Sequence, residues 1–92
     1  MARQGMEPAP EQRPEIVALL GQTRASVLRA VSGSPYGCST GELAQRLGIS
    51  LSSASEHAVT LRRAGLLTSR ASGKQTFHTI SALGRALLGD EN

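Results

Sequence analysis

The groups able to do chemistry are few and crowd into one half of the chain. Ser50, Ser52, Ser53 and Ser55 lie within six residues, His57 follows, and Arg62, Arg63, Arg70 and Lys74 come after at irregular spacing. The chain has a single thiol, Cys38, and two imidazoles, His57 and His78. Two isolated histidines and one cysteine make no Ser-His-Asp or Cys-His set, so an enzyme is not expected. Hydroxyls beside cations suit another task, hydrogen bonding to the phosphates or base edges of a nucleic acid. Plain helix capping and solvent exposure would use the same serines, and at this point the two readings weigh equally.

Charge adds to the first reading. The formal net charge is +3, and residues 49–74 carry four cations, Arg62, Arg63, Arg70 and Lys74, against one acid, Glu56. A positive patch there would attract phosphate and steer association, although a solvated charged face would look the same. With 92 residues the chain is one small domain, near the size at which a single core only just suffices. Aromatic content is 2% and Trp is absent, so the core must come from Leu, Val, Ile and Ala, which suits packed helices. One cysteine excludes an intrachain disulfide, no apolar run is long enough to span a bilayer, and residues 1–14 lack the apolar stretch of a signal peptide. A cytoplasmic protein is expected.

The elements that must position these groups follow in order. Residues 1–13 are polar, proline-containing and aperiodic, and read as a disordered extension. Pro14 and Glu15 open a short helix bearing Ile16, Val17, Leu19 and Leu20. Gly21 breaks it, and a second helix from Gln22 or Thr23 carries Val27, Leu28 and Val31 on one stripe. Ser39 and Glu42 fit a capping box, so a third helix starts at Thr40. Cys38, just before the cap, and Leu43, fourth in, are then a hydrophobic staple, which accounts for the thiol without chemistry.

Gly48 ends this helix, and Ser50 caps a fourth after one tight turn, the spacing of a helix-turn-helix. On the fourth helix Ala54, Ala58, Leu61 and Gly65 form a narrow inner stripe, while Ser52, Ser53, Glu56, Thr60 and Arg63 face away, flanked by Ser55, His57 and Arg62. Apart from Val59, no bulky apolar residue is expected to protrude. Two strand-like runs, 66–71 and 75–80, flank a Ser72-Gly73-Lys74 loop, with Arg70 and Lys74 near the tip. Phe77 and His78 point to opposite faces, and alternation alone does not say which is inside. Ser81 caps a last helix with Leu83, Ala86, Leu87 and Leu88, and residues 90–92 read as a frayed tail. The fold class expected is mainly α with a small β-hairpin, a winged helix-turn-helix over residues 14–89 in the order α-α-α-α-β-β-α.

Taken together, Leu20-Gly21, Thr23-Arg24, Val27-Leu28-Arg29, Glu42-Leu43-Ala44, Leu47-Gly48-Ile49-Ser50, Ser55, His57, Leu61-Arg62, Ala64-Gly65-Leu66-Leu67, Gly73-Lys74 and Leu83-Gly84 resemble the ArsR-like (arsenic-repressor-like) winged-helix bacterial transcription regulators. The resemblance covers about residues 16–88. It implies a homodimer whose first and last helices pair across a two-fold axis, placing Ile16, Val17, Leu19, Leu20, Leu83, Leu87 and Leu88 at or near the interface. It also implies binding to double-stranded DNA through Ser52, Ser53, Ser55 and His57 on the fourth helix and Arg70 and Lys74 on the wing, with Arg62 and Arg63 near phosphates. A repressor binding an inverted-repeat operator is the function expected. The alternatives are a DNA-binding domain of a longer regulator and a winged helix used only for protein contacts.

Ser39 and Gly41 stand where metal-sensing members of that family place two cysteines. One thiol without clustered His or carboxylate groups cannot form a tetrahedral soft-metal site within the chain. Only a site shared by the two Cys38 thiols of a dimer remains open, and no metal or other cofactor is expected.

Overall fold

Ser39 sits in extended backbone (φ −76°, ψ 160°); its Oγ accepts from the Glu42 N–H at 3.1 Å, and Glu42 Oε1 accepts from the Ser39 N–H at 2.9 Å. This reciprocal pair fixes where helix α3 (Thr40–Leu47) begins. Gly48 closes α3 in the left-handed region (φ 65°), which a residue with a Cβ adopts only at a cost. Ser50 then caps α4 (Leu51–Arg63), its Oγ accepting from the Ser53 N–H at 3.0 Å. Two helices are thus joined by three residues, 48–50.

The structure, a computed structural model, describes residues 14–89. Within it, α1 (Pro14–Leu20) and α2 (Gln22–Ser32) precede a two-residue strand β1 (Cys38–Ser39) and the α3–α4 pair. Then come β2 (Leu67–Ser72), β3 (Gln75–Ile80) and α5 (Ala82–Leu88). The disorder expected of residues 1–13 and the fraying expected of 90–92 concern residues outside those described. The remainder is the mainly helical winged fold expected, with one addition, β1. It pairs antiparallel with β3 (Cys38 with His78, Ser39 with Phe77), giving the sheet order β1-β3-β2. A strand of two residues is too short to display a period of two.

Helix α2 is central, touching α1, α3, α4, β3 and α5. Its Val27, Leu28 and Val31 are fully buried with Leu43 of α3 and Ala54, Ala58 and Leu61 of α4. Each such leucine contributes about 1.5–3 kcal/mol by leaving water. The small residues on α4 let it lie close to α2, as the narrow stripe requires.

The hairpin loop is one residue shorter than expected. Ser72 pairs with Gln75, so only Gly73 and Lys74 turn, with Gly73 at φ 62° and, among the described residues, no non-glycine residue at positive φ. A positive φ at the first central position alone is the type II′ pattern, matched to the twist of paired strands. At the other end of the hairpin, Ser81 Oγ donates to the Gly65 carbonyl at 2.7 Å and accepts from the Gly84 N–H at 3.0 Å, capping α5. Gly84 is buried against the wing: a Cβ there would overlap the Leu66 carbonyl and come within 2.8 Å of Ile80 Cγ1. Only glycine lets α5 sit this close.

Candidate nucleic-acid interface

Helix α4 presents its N-terminal end to the outside. Ser52 and Ser55 are exposed and Ser53 is half-buried. First-turn amides beyond those satisfied by the Ser50 cap, together with the helix dipole, make this end attractive to anions. Facing it is the wing tip, and Ser52, Ser55 and Lys74 line one open groove of about 610 Å³, floored by Thr40 and Gly41 of α3 and bounded by Gln75 and Thr76 of β3. Hydroxyls on one wall and an ammonium on the other are donors and acceptors suited to phosphates and base edges.

The remaining expected DNA-contacting residues do not line this groove. Arg70, on β2, is exposed and pairs across the hairpin with Phe77, its guanidinium carbon 5.5 Å from the ring centroid, a cation–π distance. His57 is half-buried, and its Nδ1 accepts from Arg24 Nε at 3.3 Å, which ties it to α2. Arg62 and Arg63 are exposed in the last turn of α4, where cations complement the dipole. At about 1.5 Å rise per residue they stand well over 10 Å along the axis from Ser52. The structure therefore gathers Ser52, Ser55 and Lys74 and leaves Ser53, His57, Arg62, Arg63 and Arg70 outside the groove's lining.

One wall residue was not anticipated. Leu51, the first residue of α4, lines the same groove and is 60% exposed. Its position directly after the Ser50 cap was the available signal, since side chains there project from the helix end. Val59, expected to protrude, is half-buried.

Behind the groove, His78 answers the question left by strand alternation: it is buried, and Phe77 is half-buried. Both ring nitrogens find hydroxyls, Nε2 with Thr40 Oγ1 at 2.8 Å and Nδ1 with Ser69 Oγ at 2.7 Å. Burial, and secondarily the nearby charge of Arg62, hold the imidazole below its ordinary pKa. Cys38 is fully buried, and that burial pushes its thiol pKa up, partly countered by a hydrogen bond from Ser34 and the charge of Arg46. Among the described residues no three His, Cys, Asp or Glu side chains gather as metal ligands, and no helix is long and apolar enough to cross a membrane.

The expected interface residues divide. Ile16 and Leu88 are buried in the protomer's own core. Leu19 and Leu83 are 68% and 57% exposed, and Val17, Leu20 and Leu87 are half-buried. Leu19, Leu20, Leu83 and Leu87 meet in a second, apolar groove of about 640 Å³ between α1, α5 and the end of α4.

The sequence model of the MarR family matches residues 19–76, more than half of the chain. No curated protein matches the chain in sequence. Among solved structures, reduced HlyU from Vibrio cholerae N16961 is 30% identical, with a TM-score of 0.68, covering 82% of this chain and 76% of its own. A predicted DNA-binding transcriptional regulator from E. coli is 28% identical, with a TM-score of 0.64, covering 82% of this chain and 77% of its own. The multiple antibiotic-resistance repressor MarR from Listeria monocytogenes 4b F2365, at 24% identity and a TM-score of 0.71, is alike in fold. That match covers 83% of this chain, which spans 54%, about half, of the Listeria protein. The ArsR-like motifs belong to a related winged-helix family; the family matched is MarR. The chain belongs to the MarR family of winged-helix, DNA-binding transcription regulators.

Proposed function

We propose that the chain acts as a homodimer that binds an inverted-repeat operator in double-stranded DNA and represses by occluding a promoter in the cytoplasm. The observation that carries this reading is the groove in which Lys74 of the wing faces Ser52 and Ser55 of α4. A recognition helix entering the major groove by its N-terminal end would bring those serines to base edges and the wing tip to the flanking backbone. Ser53, Arg70, Arg62 and Arg63 are assigned to the edge of the same footprint, and His57 to a supporting place beside Arg24.

Pairing is assigned to α1 and α5 through Val17, Leu19, Leu20, Leu83 and Leu87. Two exposed leucines in an apolar groove favour a covered surface over a solvated one. This is the dimer that the ArsR-like resemblance implies, and residues 14–89 would be its folded unit. The span of about half the Listeria MarR favours, as a second reading, the same DNA-binding unit set within a longer regulator.

The test is fluorescence anisotropy with promoter DNA at rising salt. Binding through phosphates releases counterions, so the logarithm of the affinity should fall linearly with the logarithm of salt concentration. Absence of salt-dependent binding would favour a winged helix used only for protein contacts.

A further inference from the structure

We infer that Leu51 reads the 5-methyl group of a thymine in each operator half-site; the inference rests on the DNA-binding reading above. Four large apolar side chains are exposed in the described chain: Leu19, Leu83, Tyr36 and Leu51. Leu19 and Leu83 share the apolar groove between α1 and α5. Leu51 has no apolar company of that kind. It stands on the DNA-facing groove among Ser52, Ser55, Lys74, Gln75 and Thr76.

Local structure does not call for leucine there. The cap of α4 is made by Ser50. The staple positions of that cap, the residue before it and the fourth residue in, are Ile49 and Ala54, not Leu51. A leucine at the first position of a helix adds no dipole stabilisation, and at 60% exposure it buries little of its own surface in the protomer. Its surface is instead available to a ligand.

The ligand chemistry follows from the groove that a helix N-terminus enters. Among base edges in the major groove, the one apolar group that protrudes is the thymine methyl; cytosine carries only a hydrogen at that carbon, and the other features read there are hydrogen-bond donors and acceptors. Ser52 and Ser55 can serve either donors or acceptors, and Lys74 serves phosphate, so neither distinguishes thymine. Leu51 is the one purely hydrocarbon side chain larger than a methyl on this groove, the others that carry a methyl being Thr40 and Thr76, and so offers the largest contact that does.

The test starts from an operator selected from enzymatically synthesised DNA, which contains no methylated cytosine, so each methyl in it is thymine's. Each thymine of a half-site is replaced in turn by deoxyuridine, which keeps the base pair and removes only the methyl. Wild-type protein should lose roughly fourfold in affinity at one position, the value expected for one methyl-sized group leaving an apolar contact. Replacing the symmetric position too should multiply the loss to about sixteenfold if both half-sites are read independently. Leu51→Ala should bind thymine and deoxyuridine operators equally, and its circular dichroism should match wild type because the side chain is exposed. Equal wild-type binding to all deoxyuridine operators, or a methyl preference that survives in Leu51→Ala, overturns the inference while leaving DNA binding intact. Failure to bind any DNA overturns the DNA-binding reading, and this inference with it.

Discussion

Thr40, the first residue of α3, hydrogen-bonds through Oγ1 to Nε2 of His78 in the middle strand of the wing, at 2.8 Å. Ser69 Oγ holds the opposite ring nitrogen at 2.7 Å. One buried imidazole thus ties β2, β3 and the start of α3 together behind the groove that Lys74, Ser52 and Ser55 line. A neutral ring has one donor and one acceptor nitrogen, and each hydroxyl can take the complementary role.

The His78 pKa is lowered in the folded protein, so the unfolded chain binds the proton more readily. Its contribution to stability is therefore complete above the unfolded pKa of about 6.5 and is lost as pH falls through the lowered folded value. Urea unfolding midpoints should decline below about pH 6.5 in wild type, and the decline should be shallower in His78→Gln. Parallel profiles for the two proteins would contradict the assignment.

Lys74 stands at the wing tip, exposed, and Ser55 on the facing wall of the groove. Lys74→Ala should weaken binding to all sequences alike and reduce the salt slope by about 1. Ser55→Ala should reorder preference among sequences with little change in that slope. Ser53→Ala and His57→Ala should also shift preference, His57→Ala indirectly by releasing Arg24. Anisotropy titrations against a panel of operators separate these outcomes, and unchanged binding by all four variants would remove α4 and the wing from the interface.

Leu19 and Leu83 are exposed within the α1–α5 groove. If that groove pairs two protomers, Leu19→Glu and Leu83→Glu should shift the protein from dimer to monomer at micromolar concentration while helicity is retained. Burying a leucine is worth about 1.5–3 kcal/mol, and a charge in its place adds a desolvation penalty. Size-exclusion chromatography with light scattering reports the mass. A wild-type monomer that still binds DNA would rule out the dimer.

Gly84 lets α5 lie against the Leu66 carbonyl and Ile80. Gly84→Ala should destabilise the protein by roughly 1–3 kcal/mol through overpacking, despite alanine's better helix propensity. An unchanged urea midpoint would mean that α5 yields freely.

The parts legible in the sequence were those written in local chemistry. Ser39 with Glu42, Ser50 and Ser81 each cap the helix they were expected to cap, and Gly48 ends α3. Gly73 with Lys74 turns the hairpin. What stayed illegible depended on contacts distant in the chain. Arg24 meets His57 across 33 residues, and Thr40 meets His78 across 38. Residue type does not announce either partnership. Nor does it say that Ile16 and Leu88 serve the protomer's core while Leu19 and Leu83 remain outside it, since all four are equally apolar. Leu51 lies three residues before Ala54, a spacing that reads as the buried face, yet at the first position of α4 it is 60% exposed.

Selection of bound sites from random double-stranded DNA bears on the central claim most directly. The account predicts enrichment of an inverted repeat whose half-sites lie about one helical turn apart, as two α4 helices related by a two-fold axis require. Enrichment of a single non-repeated site, or of no sequence at all, would contradict it.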